Sequence, residues 1–106
     1  KSISTATIGA KNYAKILFII GLENPNYQEN LTVTTTINNM LEEKYPGITR
    51  GIYKKEGKGV NGVYNQDFDK NTILFEVGGP ENTIEEVLNT ADAISTVLAE
   101  YIKGDI

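Results

Sequence analysis

Residues 72–82, TILFEVGGPEN, hold the reading on which the fold turns: an apolar run, a glutamate, a pair of glycines and the start signals of a helix. Ile73, Leu74 and Phe75 are the aliphatic and aromatic residues that fill a buried strand. Glu76 ends the run. Gly78 and Gly79 open backbone angles that other residues avoid, so a sharp turn is expected there, and Pro80, Asn82 and Thr83 announce the helix that follows. A strand that delivers a carboxylate into such a turn is how open α/β sheets build ligand sites, at the carboxyl ends of their strands. A solvated glutamate at a strand end fits the same spacing, and the flanking sequence must separate the two readings.

Downstream, Thr83 and Glu86 have the spacing of a capping box. From there Ile84, Val87, Leu88, Ala91, Ile94, Leu98 and Tyr101 trace one face of a helix that ends at Gly104. Upstream lies KKEGKGVNGVYNQDFDKN, residues 54–71, rich in glycine, asparagine and charge, and expected as a long loop of the kind that is functional or disordered. Its Gly-Lys-Gly lacks the spacing of a phosphate-binding loop, which argues against nucleotide binding. Before the loop, ITRGIYK (residues 48–54) alternates well enough for a strand, with Arg50 on the face of Ile48 and Ile52, from where it must reach solvent or a partner.

Further back, Asn24 and Pro25 start a helix that Pro46 and Gly47 stop, with Tyr27, Leu31, Ile37, Leu41 and Tyr45 as its apolar stripe. The threonine-rich run 32–36 favours a strand locally, but the distance between the breakers suits five helical turns better. YAKILFIIG, residues 13–21, is continuously apolar apart from Lys15, as expected for a central strand covered on both faces. Residues 1–12 read as a lead-in loop or an edge strand. The order strand, helix, strand, long loop, strand, helix gives an α/β fold, a layered sheet with covering helices, in one domain spanning residues 1–106.

Composition narrows function. The chain has 106 residues, 40% of them apolar, and a net charge of −4, which argues against a general nucleic-acid partner. The basic residues Lys44, Arg50, Lys54, Lys55 and Lys58 cluster mid-chain and read as a solvated face. With no cysteine and no histidine, the chain has no thiol nucleophile, no Ser-His-Asp triad and none of the commonest zinc ligand. No apolar run approaches the roughly 20 residues of a membrane span. The chain starts at Lys1 without a methionine, which suggests a piece of a longer protein.

The segments KYPGITRGIY (44–53), GVYNQDF (62–68) and ILFEVGGPENT (73–83) resemble the carboxyl-terminal part of the stage II sporulation protein P family, and the resemblance covers nearly the whole chain. Those proteins are bacterial cell-wall hydrolases whose catalytic domain is related to zinc-dependent N-acetylmuramoyl-L-alanine amidases. The most specific element is E-V-G-x-x-x-N, present as Glu76, Val77, Gly78 and Asn82. The resemblance implies a catalytic Glu76 that takes a proton from the attacking water and passes it to the leaving amine. It gives Gly78 and Asn82 structural roles in the turn, and places Asn65, Gln66 and Asp67 near the substrate groove. It implies zinc in the complete protein, held by two histidines and a glutamate; since this chain has no histidine, no metal is expected here, the histidines are expected upstream, and the chain alone is expected to be inactive.

The partners implied are peptidoglycan and a second cell-wall hydrolase of forespore engulfment, with no nucleic acid, and with membrane contact only through segments absent here. The implied location is extracytoplasmic, membrane-anchored in the complete protein. The alternative is a noncatalytic α/β binding or protein-docking module. Its versions are an acidic helix face that docks a protein, a carboxylate cation site of Asp67, Asp69 and Glu76, and aromatic stacking by Tyr53, Tyr64 and Phe68.

Overall fold

The computed structural model describes residues 3–55 and 72–104. The elements run β1 (Thr5–Ile8), β2 (Lys11–Ala14), β3 (Ile16–Gly21), α1 (Tyr27–Lys44), β4 (Thr49–Lys55), β5 (Leu74–Val77) and α2 (Ile84–Gly104). The fold is mixed α/β, as the sequence pattern requires. Of the long loop expected at residues 54–71, residues 56–71, with Asn65, Gln66, Asp67, Tyr64, Phe68 and Asp69, lie outside the described residues.

The apolar run 13–21 is not one strand. Its first residues complete an antiparallel hairpin, with Thr5 opposite Ala14 and Ile8 opposite Lys11 across a turn in which Gly9 has φ 62°. Such a two-residue hairpin loop needs a residue that accepts positive φ. The chain changes partners at Lys15, whose N–H donates to Ser4 O at 2.8 Å, while Ile16 N–H donates to Ile48 O at 2.9 Å. Apolar continuity hides such a switch, because both strands bury their residues: Tyr13, Ala14, Ile16 and Phe18 all belong to the interior.

In the three-stranded sheet, β3 is central, parallel to β4 and antiparallel to β5. Helix α1 makes the crossover between the parallel pair, which such a pair needs because no tight turn can join it. The threonine run is helical. Thr32 and Thr36 direct their hydroxyls to the carbonyls of Gln28 and Thr32, each at 3.0 Å, so local bonding satisfies side chains that favour strands elsewhere. The helix starts after Pro25: the Asn24 side chain donates to Gly21 O at 2.9 Å and accepts from Asn26 N–H at 2.7 Å, closing a turn ahead of Tyr27. At the other end Glu42 accepts from the N–H groups of Gly47 and Thr49, at 3.1 and 2.9 Å, and so ties the helix end to β4.

Register along β4 shifts between Ile16 and Phe18, which pair with Thr49 and Ile52. The extra residue is accommodated where Gly51 takes φ 95°, and Arg50 beside it is exposed to solvent, the first of the two destinations the sequence left open.

The core joins Ile16, Phe18, Tyr13 and Ile48 to Ile37 and Leu41 of α1 and to Ala93, Ile94 and Val97 of α2. Phe75 adds an edge-on ring contact to Phe18 at 5.9 Å. Among the described residues α1 packs on this face of the sheet and α2 packs chiefly on β2 and on α1, so the expected two-sided cover is not seen there. The other face carries Leu17, Ile19, Tyr53, Leu74 and Glu76, by their register and strand alternation. Tyr53 is 54% exposed, with the Lys55 ammonium 5.4 Å from its ring centre.

The face of α2 also differs from the expected stripe. Its buried residues are Glu86, Thr90, Ala93, Ile94 and Val97, whereas Ile84 is 80% exposed and Leu88 62%. The reason is a polar anchor. Thr90 Oγ1 lies 2.6 Å from Ala14 O and 3.1 Å from Glu86 O, a buried hydroxyl with partners on both sides, and this rotates the helix so that its polar positions 86 and 90 face the hairpin. In α1 the buried positions are Asn30, Thr34, Ile37 and Leu41, and Tyr27 and Leu31 of the expected stripe are only half-buried.

Candidate active site around Glu76

Glu76 lies in β5, opposite Leu17, and is exposed. Because β5 runs antiparallel to β3, its carboxyl end lies beside the amino end of β3, with Val77 opposite Ile16. Glu76 is therefore not at the carboxyl edge of the parallel strands, where the sequence reading placed a ligand site; strand direction, which no local pattern encodes, decides this. Its neighbourhood is instead the hairpin β1–β2 and the start of α2.

The turn after Glu76 is held from several directions. Gly78 N–H donates to Lys15 O at 2.7 Å. Gly79 N–H donates to Asn82 Oδ1 at 2.7 Å. Asn82 Nδ2 donates to Thr5 Oγ1 at 2.7 Å and to Glu86 Oε1 at 3.0 Å. These contacts set the amide's orientation, since its oxygen meets a donor and its nitrogen meets a carboxylate. Gly78 has φ 65°, and a Cβ there would lie 2.4 Å from Asn82 Oδ1 and 3.0 Å from Ala14 Cβ. The glycine is required twice over, by backbone angle and by space.

The capping box forms as the spacing predicts. Glu86 N–H donates to Thr83 Oγ1 at 3.1 Å and Thr83 N–H to Glu86 Oε1 at 2.9 Å. Glu86, only 5% exposed, has a second duty in accepting from Asn82. On the same side, Ser4 Oγ donates to Glu81 Oε1 at 2.5 Å. Ser4 and Thr5 are the residues that sequence reading missed: a Ser/Thr-rich lead-in has no pattern that marks which hydroxyl will meet a turn 77 positions away.

Of the site residues expected from the sequence, Glu76, Gly78 and Asn82 are thus brought together within one strand-turn-helix unit. Two surface grooves lie away from Glu76: one between the helices, at Met40, Glu43, Lys44 and Glu100, the other between the hairpin turn and α2, at Lys11, Asn12, Glu85 and Asn89. Among the described residues the donor set does not fit zinc. The sequence has no histidine, and among the described residues no three His, Cys, Asp or Glu side chains gather as a metal site. No described helix is long and apolar enough to cross a membrane.

A strand, a glycine turn fixed by an asparagine and a capped helix define a strand-to-helix junction with one exposed carboxylate, and comparison with known proteins gives it a family. The family model for stage II sporulation protein P matches residues 1–99, and the chain belongs to that sporulation family. It is 39% identical over 100 residues to the stage II sporulation protein P of Bacillus subtilis (strain 168), an alignment that covers 94% of this chain and 25% of that protein. The chain thus spans about a quarter of the curated relative's length. No solved structure matches it.

Proposed function

We propose that this chain is the carboxyl-terminal part of the catalytic domain of a peptidoglycan hydrolase, an N-acetylmuramoyl-L-alanine amidase acting in sporulation engulfment, with Glu76 as its proton-transfer carboxylate. The observation that carries the reading is an exposed glutamate leading into a turn that is over-determined by Gly78, Asn82 and Glu86. Such fixed geometry is what a general base requires, since proton transfer depends on reach before it depends on pKa.

In amide hydrolysis a water oxygen bonds to the carbonyl carbon of the lactyl–L-alanine amide while Glu76 accepts a water proton. Collapse of the tetrahedral intermediate breaks the C–N bond as Glu76 returns that proton to the departing nitrogen, and the products are a carboxylic acid and a free amine. Zinc, where the family uses it, would need ligands from outside this chain. Peptidoglycan is the substrate partner of this reading, a second cell-wall hydrolase its protein partner, and the extracytoplasmic side of a membrane, with the anchor elsewhere in the complete protein, its location. Endopeptidase cleavage of cross-links is a further activity on the same substrate.

A docking module is the second reading, favoured by Ile84 and Leu88 standing exposed on α2. Glu76→Gln in the full-length protein separates the two. Release of free L-alanine amino groups from purified peptidoglycan falls by about 10²–10⁴-fold under the amidase reading, with the fold unchanged. Undiminished release removes Glu76 from the chemistry.

A further inference from the structure

We infer that Thr5, on the first strand of the hairpin, is a positioning residue for Glu76, acting through the Asn82 amide. The inference rests on the amidase reading above and assigns the hairpin a part in the site. Asn82 has one acceptor and two donor positions in its side-chain amide. Gly79 N–H occupies the acceptor, and Thr5 Oγ1 and Glu86 Oε1 receive from the nitrogen. Glu86 and Gly79 belong to the same local unit as Asn82, within four residues of it. Thr5 is the contact that ties the amide to a separate element, 77 positions away in sequence.

Without the Thr5 hydroxyl, the amide still has its local partners but can tilt together with the Gly79 peptide that donates to it. Gly79 then moves with it, and Glu76, three residues before Gly79 in the strand that feeds the turn, loses a fixed direction. The neighbouring Ser4–Glu81 bond and the Gly78–Lys15 bond hold the backbone of the turn against the hairpin but do not touch the amide. Thr5 therefore sets orientation more than it sets stability.

The test uses the full-length protein with purified peptidoglycan, and compares Thr5→Val, Thr5→Ser and Thr7→Val. Thr7 shares the strand, but its hydroxyl meets Asn12 Oδ1 at 2.7 Å instead of the turn. Thr5→Val lowers kcat by about tenfold at unchanged KM, with the protein still folded at the assay temperature, as small misplacements of a catalytic group do. Thr5→Ser, which keeps the acceptor, restores kcat, and Thr7→Val leaves it unaltered. Wild-type kcat in Thr5→Val, or equal losses in Thr5→Val and Thr5→Ser, overturns the inference. Glu76→Gln, run in parallel, tells its failure from that of the amidase reading: an inactive Glu76→Gln beside a normal Thr5→Val ends the Thr5 role alone, while an active Glu76→Gln ends both.

Discussion

Alanine at position 78 tests the geometry of the turn directly. Gly78 has φ 65°, and an L-residue held in that left-handed region loses about 1–2 kcal/mol. Gly9, with φ 62° and nothing within 4 Å of an added Cβ, carries the same backbone term alone. At Gly78 the new methyl would lie 2.4 Å from Asn82 Oδ1, so the amide has to swing away from Gly79 N–H. Loss of that bond in a half-buried turn adds about 1–3 kcal/mol. Gly78→Ala is therefore expected to cost roughly 2–5 kcal/mol, against about 1–2 kcal/mol for Gly9→Ala. Urea denaturation followed by far-ultraviolet circular dichroism measures both, with the m-value as the check that the two states are unaltered. The decisive comparison is made in an Asn82→Ala background, where the colliding oxygen is gone and the added cost of Gly78→Ala drops toward the Gly9 value. Equal costs in both backgrounds would refute the collision with Asn82 and leave the backbone angle and the 3.0 Å approach to Ala14 Cβ as the effect.

Two further outcomes are expected. On α2, Val97→Ala creates a cavity at a fully buried position and costs about 2 kcal/mol, whereas Leu88→Ser, at a residue 62% exposed, changes the chain's stability by less than about 0.5 kcal/mol; the reverse order in a thermal melt would restore the stripe read from the sequence. Lys44 donates to Glu100 across the two helices, and this bond raises its pKa above the ordinary lysine range. Its folded pKa exceeds its unfolded one, so the small stabilisation is fully present at neutral pH and is lost as pH rises through the raised value. Lys44→Met is expected to give a shallower alkaline decline of the melting temperature, and an identical decline would show that the exposed pair contributes nothing.

Much of this architecture was legible because it is local. Hydrophobic runs, proline and glycine punctuation and the Thr83–Glu86 spacing gave the order of strands and helices from β3 onward, the capping box and the turn after Glu76, but not the β1–β2 hairpin. The threonine run in α1 was legible only from the distance between its breakers, since propensity alone points to a strand. What failed was rotation and direction. The first half of the apolar stripe on α2, Ile84, Val87, Leu88 and Ala91, faces outward, while Ile94, Leu98 and Tyr101 meet the core; a buried Thr90 hydroxyl and the Glu86 carboxylate take the inner positions at the start of the helix, and hydropathy assigns such groups to the surface. The run 13–21 hid a change of partners at Lys15, since burial on either side of the break is the same.

The sequence by itself determined that residues 72–82 place a glutamate ahead of a glycine turn and a capped helix, because each of those choices is governed by backbone angles and near-neighbour hydrogen bonds. Only the tertiary structure decided where that glutamate lies. Antiparallel pairing of β5 with β3 carries Glu76 to the hairpin end of the sheet, and pairing is set by burial across strands distant in sequence. The same pairing brings Ser4 and Thr5 to the turn. Their hydroxyls have partners 77 positions away, and contacts at that separation follow from the packing of the whole chain, not from any spacing within it.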